Sequence, residues 1–217
     1  MSCTNGLQDL LSSIQNRTEI LLMTTDRSAT LVEAWWPASD NALIKGVVMA
    51  ILGSLLLTIS AKIKVPLGAV PMTMQLFVVL ALSLALGARL GTAAVALYLA
   101  QGAMGFPVFA GTPDKGIGLA YMMGTTGGYL AGYLVAAAIT GWLADRGFSR
   151  TIPLAFLAAT AGAIAIYGLG VLWLGTLLGW DKPILAWGLW PFLAPDAVKV
   201  ALVALAVPAA WKLTVRR

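Results

Sequence analysis

Charged residues are missing altogether from 65–88, 90–113, 116–144 and 151–180. A helix crosses a bilayer core with about 20 predominantly apolar residues, so these runs read as membrane spans, as do the apolar stretches 41–60 and 189–212. The 73–103 segment is too long for one crossing and is cut at Gly87-Ala88-Arg89-Leu90-Gly91. That pattern predicts two short helices meeting at a charged turn, which bilayer thinning or tilt of their neighbours must match. A fourth span is expected to end at Asp145-Arg146-Gly147, and a fifth to fill about 151–178. With a last helix opened by Pro195, the chain reads as an all-α polytopic membrane protein of about six transmembrane helices spanning 41–217.

The breaks between spans carry their own pattern. Lys62, Lys64, Pro66, Gly68 and Pro71 end the first helix. Val70-Pro71-Met72-Thr73-Met74-Gln75 follows, and Thr73 and Gln75 bring polar groups into a membrane segment, where an unpaired amide or hydroxyl is costly. They have two uses open to them, a bond to a neighbouring backbone or a contact with a ligand. The stretch 102–118 holds Gly102, Gly105, Gly111, Gly116 and Gly118 with Phe106, Pro107 and Phe109, and Asp114 and Lys115 at its crest. It cannot be a lipid-facing helix, because its backbone groups would lack partners; it must fold over protein or line a cavity. Loops of this kind close over small ligands, and Phe106 and Phe109 are suited to cover an apolar ring.

Two stripes of small residues recur every fourth position. Ala42, Gly46, Ala50 and Ser54 mark the first span, and Gly124, Gly128, Gly132 and Ala136 the fourth. Such stripes let helices approach closely where lipid supplies no hydrophobic drive. Internal packing is the commoner use; for the first span a docking face for a separate membrane protein is the alternative. The glycines are no nucleotide cradle, since the chain has no Gly-Lys dipeptide. Tyr129 and Tyr133 share a face beside the second stripe, and their hydroxyls need partners if buried.

Asp196 and Lys199 form the acid-base pair that stands out within a span. Three residues apart, they project from one face, and with Pro195 as the start of the helix both fall in its first turn. A carboxylate suits that position, whereas a cation opposes the dipole and needs an anion beside it. Two readings are open: a self-contained ion pair with Lys199 reaching toward the interface, or an open site for an anionic or hydrogen-bonding ligand.

Composition agrees with the membrane assignment: 59% of residues are hydrophobic, 11% charged, and mean hydropathy is +0.87. A single cysteine, Cys3, and no histidine exclude an internal disulfide, a soft-metal site and an imidazole base. An intramembrane enzyme is therefore disfavoured, and a pure scaffold would leave Lys199 and the looped motifs unexplained. The net charge of +5 is spread between spans, which signals topology and not nucleic acid. Six spans place both termini on one side, with Lys45, Arg89, Arg146, Arg150, Lys212, Arg216 and Arg217, against Lys62, Lys64, Lys115 and Lys182 opposite. The bias puts both termini in the cytoplasm and the Pro66 region, the 105–118 loop and Asp196 at the exterior. Trp173, Trp180, Trp187 and Trp190 suit an aromatic belt at one interface, Trp211 the other.

Residues 1–40 differ from the rest, with Asp9, Glu19, Asp26, Glu33 and Asp40 among Arg17 and Arg27, and no signal-peptide pattern. Leu7, Leu10, Leu11 and Ile14 would suit a surface helix anchored by Trp35 and Trp36; a disordered extension is the alternative.

Val70-Pro71-Met72-Thr73-Met74-Gln75, Gly105-Phe106-Pro107-Val108-Phe109-Ala110-Gly111, Gly124-Thr125-Thr126-Gly127-Gly128-Tyr129-Leu130 and Pro195-Asp196-Ala197-Val198-Lys199, in that order, resemble the BioY family. These are biotin-binding S components of energy-coupling factor vitamin importers of the bacterial cytoplasmic membrane. The resemblance runs from about residue 41 to the C-terminus. It departs at Thr125, where the family usually has proline, and does not include the extension. It implies the six-helix S-component fold, capture of biotin from outside, and docking of Ala42, Gly46 and Ala50 on a membrane coupling subunit that carries two ATPases. By the family's pattern Asp196 accepts a ureido N–H and Lys199 donates to a ligand oxygen, with Tyr129, Thr73 and Gln75 completing the polar contacts and Phe106 and Phe109 against the bicyclic ring. No cofactor or metal is implied. Action alone or with the module, and as monomer or homo-oligomer, stays open.

Overall fold

The computed structural model describes residues 30–31, 41–65 and 70–215. The expected surface helix of Leu7 to Ile14, its anchors Trp35 and Trp36, and Pro66 and Gly68 lie outside them. Thr30 and Leu31, within the stretch expected to stand apart, are buried against the helical domain.

The first helix, α1, is Ala42–Lys62. Two short strands, β1 Lys64–Val65 and β2 Met72–Thr73, then pair antiparallel with Lys64 opposite Thr73. Next come α2, Gln75–Ala103, the irregular 104–117 segment, and the single-turn α3, Gly118–Met122. Helices α4, Gly127–Asp145, and α5, Ile152–Leu178, follow. The chain closes with the short α6, Ile184–Gly188, and α7, Trp190–Val215.

Among the described residues, five helical stretches are long and apolar enough to cross a membrane, and one of them is folded into two limbs. Within α2, Gly87 takes φ 78° and ψ −177°, so the chain doubles back there. Gln75 Nε2 donates to the Tyr98 hydroxyl at 2.7 Å, whereas 23 residues of straight helix would separate them by about 34 Å. A Cβ on Gly91 would lie 2.9 Å from Ser83 Cα, which shows how closely the two limbs pack. The break expected at 87–91 is thus the turn of an αα-hairpin. Gly87 is suited to it because its φ is left-handed and the Asp145 carboxylate crowds the space a side chain would need. Asp145 Oδ2 accepts from the backbone N–H of Ala88 at 3.2 Å, satisfying one donor at the start of the second limb.

Helices α4 and α5 meet along the small-residue stripe of α4. A Cβ on Gly132 would sit 2.8 Å from Ile166 Cα, and one on Gly128 would sit 2.4 Å from the Leu169 carbonyl oxygen. Internal packing is therefore what Gly128 and Gly132 serve, while Gly124 lies before the helix and accepts a bond from Trp173 Nε1 at 2.9 Å. The stripe on α1 is less committed. Gly46 makes only ordinary contact with Leu90, Ala50 is half-buried, and the close approach to α2 falls instead at Gly53. The side chain of Ala42 lies outside the described set. The outer face of α1 exposes Leu43, Val47, Ile51 and Leu55.

One pair of elements was not expected, and the start of one helix is corrected. The strand pair escaped the sequence reading because two residues per strand leave no alternation to see. The last helix begins at Trp190 instead of Pro195, which sits inside it with Pro208. Asp196 and Lys199 are consequently beyond the first turn, so the dipole argument for their pairing does not apply. Of the tryptophans expected to mark the two ends, Trp180, Trp187 and Trp190 are exposed at one while Trp173 bonds inward to Gly124, and at the other Trp211 is buried and donates to Ser149 Oγ at 3.1 Å beneath the Arg150 guanidinium.

Candidate functional site

Asp196 and Lys199 are both buried, each 7% exposed, near the α6 end of α7. Their side chains meet at 2.6 Å, the geometry that a three-residue helical spacing allows. Burying two charges is costly unless every remaining donor and acceptor is used, and here most are. Lys199 Nζ donates a second bond to the Thr73 backbone carbonyl at 2.7 Å, tying α7 to strand β2. The other carboxylate oxygen of Asp196 accepts from the Tyr167 hydroxyl of α5. The pair thus gathers α5, α7 and the hairpin between α1 and α2.

From Asp196 a cleft of about 560 Å³, counting its open mouth, runs toward the irregular segments. Asp196 and Tyr167 form one end. Val70 to Thr73, Ala110 and Tyr121 line it toward the loops, and Tyr129, Tyr133 and Phe192 add aromatic wall. Thr73 and Gln75 both reach it. The Thr73 hydroxyl donates to Gln75 Oε1 and accepts from the Gln75 backbone N–H, each at 3.3 Å, and Gln75 anchors itself on Tyr98. Tyr129 lines the cleft with its ring while its hydroxyl donates to the Gly188 carbonyl at 2.7 Å. The site is a mostly apolar cleft with a few convergent polar groups, the form that small-ligand sites take.

Asp196, Thr73, Gln75 and Tyr129 are therefore brought together as expected, and three expected residues stand elsewhere. Lys199 lies behind the wall, not on it, held between Asp196 and Thr73. Phe109 is fully buried, stacked on Tyr121 at 5.0 Å between centroids and edge-on to Tyr98 at 5.4 Å. Its ring fills the space above Gly102, where any Cβ would collide with it, so it supports the wall from outside the cleft. Phe106 is 54% exposed and away from the cleft. Tyr121 and Phe192 supply the aromatic surface in their place.

Tyr167 was missed, although a signal existed: it is the sole tyrosine of a charge-free span, and a hydroxyl in mid-membrane demands a partner. Also missed was how the 104–117 segment is held. Lys62 Nζ donates to the carbonyls of Phe109 at 2.9 Å and Thr112 at 3.3 Å, and to Thr112 Oγ1 at 3.2 Å. Lys64 Nζ donates to the Ala110 carbonyl at 2.8 Å, and Tyr121 accepts from the Gly111 N–H at 3.0 Å. Backbone carbonyls without helical partners thus find cations from the end of α1 and the start of β1. Among the described residues no group of histidine, cysteine, aspartate or glutamate is placed to hold a metal ion.

The model of the BioY family matches residues 28–216. The chain belongs to the BioY family. Among BioY relatives, the biotin transporter BioY of Thermotoga maritima is 40% identical over 162 residues, 75% of this chain and 93% of its own length. The probable biotin transporter BioY of Pyrococcus horikoshii is 38% identical over 146 residues, 67% of this chain and 83% of its own. The fold matches the crystal structure of the S-component for biotin from an ECF-type ABC transporter, with a TM-score of 0.69 and 22% identity over 81% of this chain and 95% of that one. The six-limbed helical bundle expected from the hydropathy pattern is thus the S-component fold, and this BioY chain is a membrane protein.

Proposed function

We propose that the chain is the substrate-binding S component of a biotin importer, taking biotin from the exterior leaflet for passage across the membrane. The observation that carries the reading is the Asp196 carboxylate at the end of an otherwise apolar cleft, in a chain of the BioY family. Biotin joins a neutral ureido ring, with two N–H donors and one carbonyl, to an aliphatic tail ending in a carboxylate. The Asp196 carboxylate, with Lys199 and Tyr167 already bound to it, accepts a ureido N–H through lone pairs still open. Thr73, Gln75 and Tyr129 flank the ring with polar atoms, and Tyr121 and Phe192 pack against its faces. Lys199 acts by fixing Asp196 and Thr73, which uses two of its three N–H donors.

The chain has no nucleotide motif, so energy for active uptake comes from partners: a membrane coupling subunit and the two ATPases that it carries. The docking surface of this proposal is α1, through the stripe Ala42, Gly46 and Ala50 and the neighbouring exposed face of Leu43, Val47, Ile51 and Leu55. The protein sits in the bacterial cytoplasmic membrane with both termini inside and the cleft outside, and it uses no cofactor of its own.

Equilibrium binding of labelled biotin to the purified protein tests this, with Asp196→Asn alongside. A bond to a buried charge is worth roughly 1.5 to 3 kcal/mol, so Asp196→Asn is expected to weaken binding by about tenfold to a hundredfold or more. Unchanged affinity in a folded variant would sink the assignment of Asp196, and absence of binding by the wild type would sink the function.

A further inference from the structure

The polar end of the cleft accounts for a neutral hydrogen-bonding ring and leaves the ligand's negative charge without a counterpart. Among the described residues the Asp196–Lys199 pair is the one ion pair, and it neutralises itself. Two other cations stand near the mouth. Lys64 faces Thr73 across the β1–β2 ladder. Directly opposed residues of such a ladder project from one face, and Thr73 lines the cleft. The Lys64 ammonium reaches the carbonyl of Ala110, itself a cleft residue. Lys62, two residues earlier in the chain, holds Phe109 and Thr112 on either side of Ala110. The two ammonium groups are near enough to act on one another electrostatically, with Asp114 the carboxylate that Lys62 feels. Neither has a carboxylate within ion-pair distance among the described residues.

Their hydrogen bonding differs in a way that assigns the roles. Lys62 makes three bonds to the 109–112 backbone and Thr112 hydroxyl, which uses its three donors. Lys64 makes one, so two N–H groups are open among the described residues. We infer that Lys64 is the residue that receives the ligand's carboxylate at the mouth of the cleft, with Lys62 adding charge while it holds the loop. The inference rests on the proposed capture of biotin and adds its direction: ring toward Asp196 and Tyr167, carboxylate toward the exterior. It makes the site read two chemistries at opposite ends, a donor-bearing ring and an anionic tail.

The test compares two ligands on three proteins. Biotin and its neutral primary amide are titrated into wild type, Lys64→Gln and Lys62→Gln, each checked for thermal unfolding without ligand. Lys64→Gln is expected to weaken biotin about tenfold and the amide less than twofold, and wild-type affinity for biotin, unlike that for the amide, should fall as salt is raised. Lys62→Gln is expected to weaken both ligands, with a lower unfolding temperature, as befits a residue that holds the loop. Equal losses for both ligands in Lys64→Gln would show that Lys64 only secures the loop and would overturn the inference, as would no loss for either. Should wild type bind neither ligand, the biotin reading itself fails; should it bind both equally well at every salt concentration, capture stands and the charged mouth does not.

Discussion

Asp196 is the residue on which the site turns, and its environment makes separable predictions. Tyr167 gives it one hydrogen bond, so Tyr167→Phe should keep the fold and weaken biotin by about threefold to tenfold, the worth of a typical net hydrogen bond. Isothermal titration would read that loss. Removing Lys199 is different in kind, because it strands a buried carboxylate. Lys199→Met is expected to lower stability by about 3 to 5 kcal/mol, while the double variant Asp196→Leu with Lys199→Met recovers most of it and binds no biotin. Thermal unfolding in detergent separates the two, and an intact unfolding temperature in the single variant would contradict the pairing as a source of stability. The pair itself could be read from the sequence because a three-residue spacing forces helical neighbours together. Its partners could not: Thr73 and Tyr167 lie 126 and 29 residues from the atoms they bond, and no local pattern encodes such distances. Phe109 misled for a related reason, since an aromatic ring in a loop signals apolar contact without saying on which side of the wall that contact lies.

Among the elements, spans were legible wherever a charge-free run met the length of a bilayer. The end of α5, the end of α4 and the break in α2 fall where residues 151–178, Asp145 and Gly87 place them. Starts governed by proline were not, because Pro195 reads equally as a first-turn residue or as a kink inside a helix anchored further upstream by α6. The α4–α5 seam offers the clearest test at this scale. Backbone atoms of Ile166 occupy the place of a Gly132 side chain, so Gly132→Ala must push two helices apart and is expected to cost about 1 to 3 kcal/mol. Gly168, whose missing side chain meets nothing within 4 Å, is the control: Gly168→Ala should leave the unfolding temperature unchanged or slightly raised. Equal responses at the two glycines would contradict the seam.

For the whole molecule, the irregular segments, the mouth of the cleft and the exposed Trp180, Trp187 and Trp190 gather at one end, and Asp145, Arg150 and Trp211 at the other. The proposed orientation follows from that polarity and can be read by labelling. In a Cys3→Ser background, Lys115→Cys should react with an impermeant maleimide added to intact cells, and Trp142→Cys only after lysis; the reverse order would invert the topology. The sided arrangement also has an electrical consequence. Because Asp196 and Lys199 cancel within 2.6 Å, the membrane voltage finds no net charge to act upon at the buried end of an empty site. A seated biotin brings one negative charge, and carrying it across works against an inside-negative potential at about 2.3 kcal/mol per 100 mV. The ion pair that lets the site exist in lipid thus adds no charge of its own to the cargo's, and each anion delivered inward without a travelling counter-charge is an outward current.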